Sequence, residues 1–319
     1  MRLFIACFWN RRERRLRSAW RLLLNLIFTV VMLLAMVIVT VGLLGAPDDG
    51  QLFLIAGGLA QSVVILAAVL FCCRWPDRRQ IRGIGFESFD WRDLRFGLIL
   101  GAVMMLGIFA VEYTAGRIEI VRIGRPAEVG WANWVTLHCA WLVLMVFVGV
   151  AEEALSRGYH LKNIAEGMSS LGMIGSLVVA GVASSAVFGL LHAFNENATT
   201  ISTASVIAAG ALLVVVRLVT GSLAAPIGLH ITWNYFQGAQ LGFPVSGNAI
   251  PSAMLEIRHD GPAWITGGDF GPEAGVLGWV ACFLGVAIVV ARIRLKNSHA
   301  SRKLLSNALE IVKYRRSVV

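Results

Sequence analysis

Three short patterns hold the groups that could do chemistry. Glu152 and Glu153 lie in Val148-Gly149-Val150-Ala151-Glu152-Glu153-Ala154-Leu155-Ser156-Arg157. His192 ends Phe188-Gly189-Leu190-Leu191-His192. His230 and Asn234 bracket His230-Ile231-Thr232-Trp233-Asn234. All three sit in strongly apolar surroundings. An ionisable side chain at mid-membrane costs about 2.5–3.5 kcal/mol on insertion scales, so such groups face protein rather than lipid and mark candidate sites. Neighbouring residues on a helix are about 100° apart, so the two carboxylates are expected to differ in role. Glu153 and Arg157 have the i,i+4 spacing in its favourable order and read as a self-neutralising structural pair. Glu152 is left without a local partner, as a general base requires. His230 and Asn234 share a helix face and can converge on a metal ion, a water or a developing oxyanion. A single His in a span is often only a helix–helix contact; three polar sites in neighbouring spans weigh against that here.

The elements that must position these groups follow from composition. Of 319 residues, 57% are hydrophobic and 15% charged, against about 45–50% and 25% in soluble domains. This excludes a soluble enzyme with an added anchor, a disordered chain and a disulfide scaffold. It predicts an all-α, polytopic bundle of transmembrane helices. A span takes about 20 apolar residues, and the apolar runs predict eight, near 22–44, 51–73, 97–115, 133–150, 175–194, 201–220, 223–242 and 276–291, the fourth staying helical to about Glu166. Polar or Gly/Pro-rich loops are expected over 116–132 and 243–275. The five Cys form no CxxC pair and read as reduced packing residues.

The net charge of +9 sits at the two ends: seven Arg against Glu13 in the first 22 residues, and eight basic residues against Glu310 from Arg292 onward. Lys and Arg near span ends stay on the cytoplasmic side. Both termini are therefore expected to be cytoplasmic in a multi-pass cell-membrane protein, with lipid head groups rather than nucleic acid as the basic tails' partners. The connector 74–96, with six Arg, belongs on the same side. The tail 302–316 carries Leu305, Leu309 and Val312 on one stripe, which suits a helix on the membrane surface; a short disordered tail fits equally. Of the remaining ionisable groups, His138 reads as structural, Arg217 as a cytoplasmic-end residue and Glu112 as interfacial. A hairpin turning near residue 172 would put Glu152 level with His192, and His230 about 12 Å above Gly221, so the three are expected in one layer in the inner half of the membrane. There is no HExxH and no phosphate-binding GxxxxGK[ST]. Gly267-Gly268-Asp269 falls in a loop, which argues against an aspartyl protease.

The three patterns resemble the EExxxR, FxxxH and HxxxN motifs of the CPBP intramembrane metalloproteases, the CAAX-prenyl-protease and bacteriocin-processing family. Tyr235-Phe236-Gln237-Gly238 and Gly267 to Glu273 look like bacterial members too. The resemblance covers about 85–291, taken as an intramembrane protease core; residues 1–21 are a basic cytoplasmic tail, 22–84 two N-terminal transmembrane helices, and 292–319 a second basic cytoplasmic tail. The family implies an intramembrane endopeptidase acting on a membrane-associated, CAAX-type prenylated protein or peptide. It implies that Glu152 activates water with His192, and that His230 with Asn234 stabilises the oxyanion. Glu153, Arg157 and Phe188 are implied as structural members of the motifs. Glu152, His192, His230 and Asn234 are the implied ligands if Zn2+ is used; these residues fit both a zinc and a metal-free glutamate mechanism. The alternative is a non-catalytic transporter or scaffold with a polar Glu/His core, although no internal repeat of the kind transporters carry is seen.

Overall fold

A computed structural model describes residues 7–11, 13–44, 50–124, 130–296 and 300–312. A short hairpin, β1 (Trp9–Asn10) and β2 (Arg15–Leu16), precedes α1 (Ser18–Leu44) and α2 (Gln51–Arg74). Then come α3 (Trp91–Thr114), β3 (Ile118–Ile123), α4 (Trp131–Glu153), a π-helical segment (Ala154–His160), α5 (Leu161–Gly167), α6 (Gly172–His192) and α7 (Thr200–Thr220). The chain continues as α8 (Ala224–Tyr235), a second π-helical segment (Phe236–Gln240), β4 (Leu255–His259), the short α9 (Ala263–Thr266), α10 (Val276–Lys296) and α11 (Ala300–Val312).

Among the described residues, seven helices are long and apolar enough to cross a membrane. The eighth expected span, 223–242, is different. It is α8 with its π-helical extension, shorter than the about 20 residues a lipid-facing span needs, and every residue of it from Ala224 to Ile231 is buried. It runs inside the bundle, where protein rather than lipid surrounds it. The approach that encloses it depends on glycine. Gly97 and Gly101 of α3 form a GxxxG pair against α8, and a Cβ at either would run into the carbonyl oxygens of Ala225 or Leu229. Gly228 faces back, and its Cβ would meet the Leu94 oxygen. Small residues let helix backbones approach closely where no hydrophobic force drives association. At this closeness Thr232 Oγ1 donates to the Leu98 carbonyl at 2.7 Å.

The two expected loops are not independent. β3 pairs antiparallel with β4, Ile118 opposite His259 and Ile120 opposite Ile257. This puts His259 Nε2 at 3.2 Å from Glu112 Oε2, with the Glu112 side chain fully buried. Glu112 is thus an interior group capped by a strand 147 positions on in sequence, not an interfacial one. Trp134 is also buried: His138 packs on its ring at 4.1 Å and spends both ring nitrogens near the Trp134 and Ala239 carbonyls. His138 therefore serves packing.

Both charged ends gather at one face of the bundle. The described part of the basic N-terminal segment, from Cys7 on, is packed against the bundle rather than free. Arg15 is fully buried, with Nη1 at 2.9 Å from Asp77 and Nη2 at 2.8 Å from Glu166. Arg21 joins the same two carboxylates, and Arg79 completes the cluster at 2.7 Å from each. Burial alone would push the Arg79 guanidinium down; the Asp77 and Glu166 carboxylates outweigh it and hold it above its ordinary value. At the other end α11 is helical but docks on the bundle. Asn307 Nδ2 donates to the Leu218 and Val219 carbonyls, and Ile311 is buried beside Leu161, Ala165, Ala180 and Val214. Its inward stripe is Leu304, Ala308 and Ile311; Leu305 is exposed. The tail beyond Val312 lies outside the described residues.

The glycine contact yields a test. Gly97→Leu should destabilise the detergent-solubilised protein by the about 1–3 kcal/mol typical of overpacking, read as a lower melting temperature, or abolish folding. Gly107→Leu, on the same helix with nothing within 4 Å of its would-be Cβ, should be close to neutral. Equal effects would mean that α3 and α8 do not depend on this approach.

Candidate active site

The site is assembled from four stretches of helix, in α4, the π-helical segment after it, α6 and α8. Glu152 and Glu153 are the last two residues of α4, and Arg157 follows in the π-helical segment. The expected pair is present: Arg157 Nη1 donates to Glu153 Oε1 at 3.0 Å, and both side chains are fully buried. The same Glu153 oxygen also accepts from His230 Nδ1 at 3.0 Å. Glu153 is therefore part of the site as well as of its frame, which the sequence reading missed. The only signal for it was its adjacency to Glu152, since His230 lies 77 residues away. On the other side of the ring, His230 Nε2 is 3.8 Å from Glu152 Oε2. That is too long for a hydrogen bond, and Glu152 Oε2 accepts none from the protein. Two carboxylates on different helix faces meet one imidazole because its two nitrogens point in diverging directions.

Phe188 holds the other half together. The Arg157 guanidinium stacks over its ring at 4.1 Å from the centroid, a cation–π contact in a dry setting. His192 leans on the same ring at 4.6 Å and His230 meets it edge-on at 6.1 Å. One turn of helix accounts for the FxxxH spacing. His192 Nδ1 donates to the Phe188 carbonyl at 2.8 Å, which fixes the ring and leaves Nε2 unprotonated in the neutral form. Asn234 is half-buried one turn along α8 from His230, on the same face. Neither His138 nor Glu112 enters the group. The depth differs from expectation. Helix α6 starts after the turn at Ser169–Leu171 and His192 is its last residue. At about 1.5 Å per residue that is roughly 30 Å from the turn, so the site extends from mid-bundle toward the far end of α6 rather than lying in the half next to the tails.

A loop closes over the group. Phe270 and Ala274 pack on Phe188 and Val206 in one buried cluster, which gives the Gly267–Glu273 stretch a place at the site. Glu273 anchors this loop. Its Oε1 accepts from the Ser246 backbone N–H at 2.7 Å, and Gln237 of the π-helical segment donates to Oε2. Burial outweighs these hydrogen bonds and raises the Glu273 carboxyl to about 7.

Among the described residues, no three or more His, Cys, Asp or Glu side chains are gathered so as to hold a metal ion. Glu152, Glu153 and His230 touch, but Glu153 is committed to Arg157.

Two outcomes follow. Glu153→Gln should strand the buried Arg157 charge and lower stability by about 3–5 kcal/mol, and adding Arg157→Met should recover much of it; a single variant as stable as the parent would refute the pairing. For Glu273 the folded value lies above the unfolded 4.5, so its contribution is fully present below pH 4.5 and is lost as pH rises through 7. Melting temperature should fall between pH 5 and 8, and Glu273→Gln should flatten that fall. An unchanged slope in the variant would assign the pH dependence elsewhere.

No curated protein and no solved structure matches the chain. A family model does. Residues 134–236, about a third of the chain and the stretch that carries Glu152, Glu153, Arg157, Phe188, His192, His230 and Asn234, match the family described as type II CAAX prenyl endopeptidase Rce1-like.

Proposed function

We propose that this chain is an intramembrane endopeptidase that hydrolyses a peptide bond in a membrane-associated, CAAX-type prenylated substrate, with its two termini on the cytoplasmic side. The observation that carries the reading is the Glu153–His230–Glu152 arrangement inside the segment matched to a CAAX endopeptidase family. Nδ1 of His230 donates to Glu153, so in the neutral ring Nε2 is an acceptor turned toward Glu152. A 3.8 Å separation between two acceptors suits one water that donates a hydrogen to each. In this reading His230 orients the water instead of serving the oxyanion, which revises the role the family resemblance implies. His192 Nε2 is a further acceptor beside the Phe188 ring.

The step then balances on the chain's own groups. Glu152 takes a proton from the water as the oxygen bonds to the scissile carbonyl carbon. The Asn234 amide donates to the oxyanion that forms. The C–N bond breaks as the nitrogen takes the proton back from Glu152, leaving a carboxylic acid and an amine. Zinc remains the other expectation for Glu152, His192, His230 and Asn234, and no step here uses it. Arg157 stays out of the chemistry: it neutralises Glu153 and packs on Phe188.

Purified protein with a prenylated CAAX-type peptide tests the reading. Glu152→Gln should lose at least the about 10²–10⁴-fold that general base catalysis supplies while remaining folded. Asn234→Ala should add about 2.7–4 kcal/mol to the barrier, as loss of an oxyanion donor does. Chelator should leave the rate unchanged. Inhibition by chelator, with metal lost from His192→Ala and His230→Ala, would assign these side chains to zinc instead. Full activity in Glu152→Gln would overturn the assignment, and no cleavage by the parent protein would favour the non-catalytic reading.

A further inference from the structure

At the face where both charged ends gather, a second polar site is built from a different set of residues. It is a cavity of about 40 Å³ lined by Arg79, Arg82, Lys162 and Arg217, with Glu87 and Glu310 also on its wall. That volume holds a few water-sized groups. The cations are not equally engaged. Arg79 is committed to Asp77 and Glu166. Lys162 Nζ donates to the Glu310 backbone carbonyl. Arg217, in the last turn of α7, is only 5% exposed, yet its Nε and Nη1 have no hydrogen-bond partner. The connector packs directly on it: a Cβ at Gly85 would lie 2.8 Å from Arg217 Nη2. A buried guanidinium with idle donors is costly unless something accepts from it.

We propose that this cavity binds a phosphate group, held by Arg217 with Arg82 and Lys162. A guanidinium presents parallel N–H donors in a planar fork that matches phosphate oxygens. The place fits as well. Arg217 sits where α7 ends, beside the turn at Gly221, the level at which spanning helices meet lipid head groups, and basic pockets between helices there recognise phospholipid heads. Glu87 and Glu310 limit the net positive charge, which favours a monoanion such as a phosphodiester over a multiply charged ion. The phosphate has two sources, a phospholipid of the adjoining leaflet or free inorganic phosphate. The site stands independently of the proposed peptidase chemistry.

The test uses the full chain, delipidated in detergent, with three probes: phosphatidylglycerol, the matched diacylglycerol that lacks the phosphate, and inorganic phosphate. Melting temperature and retention of lipid in native mass spectrometry are the readouts. Phosphatidylglycerol should stabilise the protein and stay bound, and diacylglycerol should do neither. Arg217→Gln and Arg82→Gln should each weaken retention about tenfold, the loss of one charge-assisted contact, whereas Lys303→Gln, exposed on α11, should not. Stabilisation by inorganic phosphate alone, lost in the same variants, would assign the free ion to the same cavity. If Arg217→Gln fails to fold, Arg82→Gln and Lys162→Gln carry the comparison. Absence of any shift with either phosphate probe, or equal retention in parent and variants, would overturn the proposal.

Discussion

One buried oxygen organises this protein. Glu153 Oε1 accepts from Arg157 and from His230 at 3.0 Å each, with no access to solvent. A carboxylate in such a place is tolerable only if paired and hydrogen-bonded. Meeting that requirement fixes three parts of the bundle at once. Arg157 must lie one turn on, which joins α4 to the π-helical segment. His230 must reach across from α8. Arg157, held on one edge by Glu153, must be covered on its face by Phe188 from α6. Once these are set, His192 has its position too, because its ring rests on Phe188 and its Nδ1 is taken by the Phe188 carbonyl.

That constraint explains why α8 is short and deeply enclosed. To bring His230 to Glu153, α8 must press against α3 and α4 along most of its length, and the backbones can come that close only where Cβ atoms are missing. Gly97, Gly101 and Gly228 supply this on the α3 side, and Gly149 faces Ile231 on the α4 side. Two of the three motif-bearing helices also change pitch at the site: π-helical turns run from Ala154 to His160 and from Phe236 to Gln240. Such turns recur at functional positions because the wider coil re-aims side chains without ending the helix. Here the first keeps Arg157 beneath Glu153, and the second turns Gln237 toward Glu273 in the covering loop.

Much of this was legible in the chain. Apolar runs of about 20 residues locate the lipid-facing helices, and the local spacings of Glu153 to Arg157, Phe188 to His192 and His230 to Asn234 each lie within one turn. What was not legible is what depends on distant pairing. Nothing in the sequence tells Glu153 that its second partner is 77 residues away, or that β3 will find β4 and bury Glu112 under His259. Composition also misled at the ends. A run of Arg reads as a solvated or lipid-facing tail, but Arg15 and Arg21 are buried because Asp77 and Glu166, far apart in sequence, supply two carboxylates in one place. The eighth span was found by its apolar content yet misjudged in setting, since hydropathy does not distinguish a helix in lipid from one inside protein.

The two polar clusters illustrate different uses of buried charge. In the Arg15–Arg21–Arg79 cluster Asp77 and Glu166 serve three guanidinium groups, and the N-terminal hairpin, the connector after α2 and α5 are tied together. Such an assembly holds shape: each of its guanidinium groups is paired with a carboxylate. In the Glu152 group the balance is reversed. Arg157 and the His230 Nδ1–H both donate to Glu153 Oε1, while Glu153 Oε2 and Glu152 Oε2 accept nothing from the protein and the remaining nitrogens of His192 and His230 are acceptors when neutral. Glu152 Oε2 and the His230 Nε2 3.8 Å from it are two acceptors that one molecule with two hydrogens to donate can satisfy. Water is the smallest such molecule, and a water held among bases is what hydrolysis needs.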